Sequence, residues 1–119
     1  FEELYRTVGT DIAVGAHFHD TRGLGLANAY AAVEAGVREL DSCLGGLGGC
    51  PYAPGASGNI VTEDLVFMLE GMGLRTGIDL DGLLEARDIM QDHLKGEPTQ
   101  GTFINAGRPL GFEPASIAA

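Results

Sequence analysis

Two short strand-like stretches, separated by one helix-like stretch and followed only by helical patterns and a long glycine-rich connection, constrain this chain more than any other feature. Residues 12–19 (IAVGAHFH) start with β-branched and small residues and end in two histidines, and residues 37–41 (VRELD) are short enough for a second strand. Between them, residues 24–35 (LGLANAYAAVEA) have the leucine and alanine density of a packed helix, with Gly36 as its stop. Strand, helix, strand is one parallel crossover unit. Purely parallel sheets need both faces covered, so two such strands make a poor sheet by themselves. The pattern is that of the last portion of a larger repeated β/α architecture. A complete barrel of this class takes roughly 250 residues, against 119 here.

The remaining segments read as follows. The first residues look like the end of a helix. Residues 42–58 form a connection with six glycines (45, 46, 48, 49, 55 and 58). Such length is unusual in compact β/α units and often functional. Residues 61–72 predict a helix with an apolar stripe closed by Gly73, and Asp79 predicts the N-cap of another reaching about residue 94. Beyond Gly96 periodicity fades, although Phe103 and Ile104 could supply one packed or tethering turn. The expected division is residues 1–94 as barrel and 95–119 as a C-terminal extension.

With 45% apolar and 20% charged residues and only five prolines, the chain is globular in composition rather than disordered. No apolar run of membrane-spanning length occurs, and the opening residues resemble no secretory signal. Seventeen acidic against seven basic residues give a formal charge of −10, which argues against nucleic-acid binding. An anionic substrate stays compatible, because a metal or a few placed cations reverse the local field. Cys43 and Cys50 make no disulfide scaffold, and both a disulfide and a single reactive thiol remain open at this point.

His17 and His19 are the strongest chemical signal. Strand alternation puts them on one face, at the strand end where barrel enzymes place their sites, so both rings can address one ion. Asp20 could orient a ligand or bond the backbone of the following turn. Asn59 offers a neutral oxygen, and a mixed nitrogen and oxygen set suits an intermediate divalent ion. A structural zinc site from His17, His19, Cys43 and Cys50 is a rival reading, disfavoured by the lack of close Cys-x-x-Cys pairs. Cys50, between Gly49 and Pro51, could bring a thiol to a metal site and transfer a proton. Cys43 is expected to pack or to line the site. Asn28 and Glu63 read as helix-surface or capping residues. Gly45-Gly46-Leu47-Gly48-Gly49 lacks the lysine and hydroxyl residue of a nucleotide P-loop.

In combination, FHDTRG after His17, DSCLGGLGGCPYAPGASGN from Asp41 to Asn59, TEDLVFMLEGMG from Thr62 and TGIDLDGLLEA from Thr76 closely resemble the hydroxymethylglutaryl-CoA lyases. The His-x-His-Asp element alone is similar to the broader metal-dependent aldolase, lyase and synthase superfamily; the cysteine loop narrows it. The resemblance implies a (β/α)8 TIM barrel, incomplete here, that cleaves 3-hydroxy-3-methylglutaryl-CoA to acetyl-CoA and acetoacetate with Mg2+ or Mn2+. It implies His17, His19 and Asn59 as metal ligands, Cys50 of a mobile loop as catalytic acid/base, and His17 as a second candidate for proton transfer. The aspartate ligand, arginine and glutamate of the family's first strands have no counterpart in these residues, and Arg22 replaces an aromatic or polar residue common in relatives. The isolated chain is therefore expected to be inactive. The resemblance further implies an acyl-CoA substrate, a homo-oligomeric parent, and a cytoplasmic location in bacteria or a mitochondrial matrix location in eukaryotes, with the cytoplasm favoured. The alternatives are a lyase for a related 3-hydroxyacyl-CoA and a non-catalytic truncated remnant.

Overall fold

The computed structural model describes residues 1–50, 52–53 and 55–116; Pro51 and Pro54 of the cysteine loop and the last three residues of the C-terminal segment lie outside them. In chain order the elements are α1 (Glu2–Val8), β1 (Gly15–His17), α2 (Gly25–Glu34), β2 (Glu39–Asp41), a 3-10 turn (Leu44–Gly46), α3 (Thr62–Gly71), α4 (Leu80–His93) and α5 (Phe103–Ala106). The crossover expected from the sequence is present: β1 and β2 pair in parallel, with Gly15, Ala16 and His17 opposite Glu39, Leu40 and Asp41.

β1 is shorter than the eight residues predicted, and Ile12 at its predicted start is 55% exposed. A ladder extends only as far as its partner, and β2 supplies three residues. Past His17 a different neighbour takes over. Residues 58–62 insert between the extensions of the two strands. The Ile60 N–H donates to the Phe18 carbonyl and the Asp20 N–H to the Gly58 carbonyl; on the other side the Cys43 N–H donates to the Ile60 carbonyl and the Thr62 N–H to the Cys43 carbonyl. His19 thereby bridges Asn59 antiparallel, and Cys43 bridges Val61 in parallel.

Alternation divides the sheet into two faces. Ala16 and Leu40 point towards α2, where Ala16, Ala32 and Val37 form one core cluster and Ala29, Ile60 and Leu65 another. Small alanines let the helix lie close to the strands. The approach is tightest at Gly25, where an added Cβ would stand 2.2 Å from Ile60 Cγ2. Ile60 is fully buried, a contribution of about 1.5–3 kcal/mol from the side chain. Asp20 has the second of its two expected roles, accepting the Gly25 N–H at 2.7 Å and so ending the turn at the start of α2. The opposite face, with Gly15, His17, Glu39 and Asp41, stays open.

A third cluster joins α3 to the later elements through Val66, Leu80 and Phe103, with Phe67 stacked on Phe103 at 4.9 Å between centroids. Asp79 caps α4 as predicted, accepting the Asp81 N–H at 3.1 Å. The weakly periodic region after residue 96 also packs. Asp64 accepts the N–H groups of Thr102 and Phe103, and Glu70 accepts from Thr76 and Ser116. The whole is a slab of 45 × 44 × 20 Å with a radius of gyration of 15.3 Å, where a compact chain of this length measures about 13.5 Å. Its thickness corresponds to one strand layer and one helix layer, each about 10 Å deep.

Candidate active site

His17 and His19 stand at the end of β1 with ring centroids 5.0 Å apart, on one side of the chain as the period of two requires. Both are exposed on the open side. The register of the sheet puts Asp41 directly across from His17, and Nδ1 of His17 lies 2.5 Å from Asp41 Oδ1. A carboxylate accepts and does not donate when ionised, so Nδ1 carries the proton, and in the neutral ring Nε2 keeps its lone pair. A shallow cavity of about 330 Å³ lined by Gly15, His17, Glu39 and Asp41 lies over this face. Its carboxylates favour a cation.

Asn59 reaches the site from the inserted segment. Its Nδ2 donates to the Leu47 carbonyl at 2.7 Å and to Cys43 Sγ at 3.1 Å. Its Oδ1 is buried and has no hydrogen-bond partner among the described residues. Buried acceptors are nearly always paired, so this oxygen, one bridge away from His19, is an acceptor waiting for an electrophile. Two imidazoles and one amide oxygen form a mixed nitrogen and oxygen donor set that suits a divalent ion. The zinc quartet does not assemble: no group of three or more His, Cys, Asp or Glu able to hold a metal occurs among the described residues.

Both cysteines are free. Cys43 lines the site through its contact with Asn59. Cys50 is exposed, in a turn in which the Ala53 N–H donates to its carbonyl, and no hydrogen bond joins it to His17, His19 or Asn59 among the described residues. The structure thus gathers His17, His19, Asn59 and Cys43, and leaves Cys50 exposed on the loop that Asn59 holds at Leu47.

Sequence reasoning passed over several residues. Asp41 read only as the last residue of a strand. Glu63, read as a surface or capping residue, is fully buried; it pairs with Arg87 Nη1 at 2.5 Å and accepts the Gly45 N–H with both oxygens. An acidic residue in the first turn of an amphipathic helix gives no hint of burial. The available signal was the arginine one helix later, among the apolar positions of α4. Asn28 is exposed on α2, in keeping with its reading.

Comparison with known proteins follows the same lines. The HMGL-like family profile matches residues 1–90. The chain is 60% identical over 78 residues to the human mitochondrial hydroxymethylglutaryl-CoA lyase, covering 66% of this chain and 24% of that protein. It is 48% identical over 97 residues to the (R)-citramalyl-CoA lyase of Chloroflexus aurantiacus, covering 82% and 30%. The HMG-CoA lyase of Acinetobacter baumannii in complex with coenzyme A and 3-methylmalate superimposes with a TM-score of 0.82 at 47% identity, over 95% of this chain and 36% of that one. The chain thus spans between 24% and 30% of the length of these two curated relatives.

Proposed function

The chain belongs to the HMGL-like family, of whose barrel it forms a part, and from that premise we propose that the protein it represents is a divalent-metal-dependent carbon–carbon lyase cleaving 3-hydroxy-3-methylglutaryl-CoA to acetyl-CoA and acetoacetate. The observation that carries this reading is the orphaned Oδ1 of Asn59 beside two histidines, on a residue whose Nδ2 grips the loop of Cys50.

In this reading His17, His19 and Asn59 hold the ion, and Asp41 fixes the His17 tautomer that leaves Nε2 free. Bound Mg2+ or Mn2+ supplies Lewis-acid polarisation of substrate oxygens and a template for their orientation. Cleavage passes the proton of the tertiary hydroxyl to a base contributed with the rest of the barrel, turns the C–O bond into the ketone of acetoacetate as the bond between the hydroxyl-bearing carbon and the CoA thioester's α-carbon breaks, and leaves the acetyl-CoA enolate. The Cys50 thiol gives that enolate its proton. Residues from the rest of the barrel complete the acyl-CoA pocket, and the isolated chain is inactive because three ligands without that wall hold substrate loosely. The parent is a homo-oligomer of the cytoplasm or the mitochondrial matrix; one relative named as cytoplasmic and another named as mitochondrial support the pair of compartments.

A second reading, a lyase for a related 3-hydroxyacyl-CoA, is favoured by the match to the citramalyl-CoA lyase, which covers more of this chain than the human lyase does.

The test places these residues in the corresponding part of a full-length hydroxymethylglutaryl-CoA lyase and measures Mn2+-supported acetoacetate release, with the isolated chain alongside. Activity in the chimera alone, abolished by Cys50→Ala, supports the reading. A folded chimera that releases no acetoacetate overturns it, and turnover of citramalyl-CoA by the same protein would establish the second reading.

A further inference from the structure

The residues following α4 lie beyond the stretch matched by the family profile, and the chemistry above makes no use of them. They close on the base of the cysteine loop. The Gln100 N–H donates to the Gly45 carbonyl at 2.8 Å, and the Gln100 side-chain Nε2 donates to the Ser57 carbonyl at 2.5 Å. Gly45 precedes Cys50 and Ser57 follows it, so one residue holds both legs of the loop.

The neck between those legs is narrow. A Cβ on Gly58, whose φ is 107°, would stand 2.2 Å from the Gly46 carbonyl oxygen, so the two strands of the neck touch backbone to backbone. From the inside, Glu63 holds the Gly45 N–H and Asn59 holds the Leu47 carbonyl. From the outside, the only side-chain donor to the downstream leg among the described residues is Gln100. The strap that carries it is anchored at both ends: Gln91 Nε2 donates to Thr99 Oγ1 at 2.9 Å, and Asp64 accepts the backbone N–H groups of Thr102 and Phe103.

We propose that Gln100 is a positioning residue for Cys50, its side-chain amide fixing the downstream leg of the loop against the upstream leg and so setting where the thiol stands. The proposal rests on the reading of Cys50 as a chemical group of the site. A neutral donor is what the position requires, because its partner is a carbonyl. Gln100→Glu keeps the shape and the backbone bond to Gly45 while removing the donor and setting a carboxylate against the Ser57 carbonyl oxygen.

Two measurements test it. Amide hydrogen exchange on this chain, compared among wild type, Gln100→Glu and Gln100→Ala, should show exchange over residues 46–58 about tenfold faster in both variants. Exchange in α2, which shares no hydrogen bond with the strap among the described residues, is the reference and should not move. In the full-length chimera, Gln100→Glu should lower kcat about tenfold and leave KM within about twofold, since the group misplaced acts in the chemical step. Unchanged exchange in the loop overturns the proposal, as does faster exchange with unaltered kcat in an active chimera. If the chimera with wild-type Gln100 is itself inactive, the lyase reading fails, and the exchange measurement alone decides whether Gln100 holds the neck.

Discussion

Replacing Arg87 with methionine tests what holds the base of the cysteine loop from within. The Arg87 side chain is 3% exposed and Glu63 is fully buried, so the pair has almost no solvent to screen it. Methionine keeps much of the apolar stem and removes the charge. What remains is a buried carboxylate whose other donor, the Gly45 N–H, is shared between its oxygens at 3.1 and 3.2 Å. Removing one partner of a buried ion pair costs about 3–5 kcal/mol. Arg87 Nε has no acceptor among the described residues, so part of its own desolvation is uncompensated in the native chain and is recovered on removal. The expected loss is therefore at the lower end, about 3 kcal/mol. Urea unfolding followed by far-ultraviolet circular dichroism reads it as a lower midpoint at unchanged slope. The double change Glu63→Leu with Arg87→Met removes both charges and should be more stable than Arg87→Met alone by about 1 kcal/mol or more, despite the unpaired Gly45 N–H. A loss below about 1 kcal/mol in Arg87→Met, or a double variant less stable than the single one, refutes the argument that the pair is held by its own charges.

Two further outcomes follow from the geometry. Burial raises the pKa of Glu70, but hydrogen bonds from the Ser116 and Thr76 hydroxyls and from both backbone amides outweigh it and lower the value from 4.5 to about 2. A folded-state value below the unfolded one means stability that is present above pH 4.5 and lost as pH falls through about 2; the urea midpoint should fall over that window, and fall less in Glu70→Gln. Asp41→Ala removes the acceptor that fixes the His17 tautomer, and Mn2+ affinity measured by electron paramagnetic resonance should drop about 10–100-fold; an unchanged affinity would show that Asp41 does not orient a ligand.

The crossover unit, the long helices and the shared face of His17 and His19 were legible because each follows from a period of a few residues. Strand length was not, since it depends on how much partner exists: β1 stops where β2 does, at the pair of His17 and Asp41. Nor was the insertion of residues 58–62 between the strands, which brings Asn59 to His19; there the family resemblance pointed to the residue and the backbone geometry supplied the reason for its position. The groups missed are joined over long separations. Glu63 and Arg87 are 24 residues apart, Ser57 and Gln100 are 43 apart, and Glu70 and Ser116 are 46 apart. A charged or amide side chain in an amphipathic stretch reads as solvated unless its partner is known, and no local pattern names a partner at that distance.

The slab form has a thermal consequence. The chain exposes 7541 Å² at a mass of 12.4 kDa, whereas a compact monomer of that mass exposes about 6,100 Å². The difference, about 1,400 Å², is surface that folding of this chain leaves in water. The heat-capacity increment of unfolding grows with the apolar surface newly exposed. A two-layer slab that never dried its open face has less of it to expose, so its curve of stability against temperature is shallow, with a low maximum and weak curvature. Contact that dried the open face would steepen that curve as well as raise it.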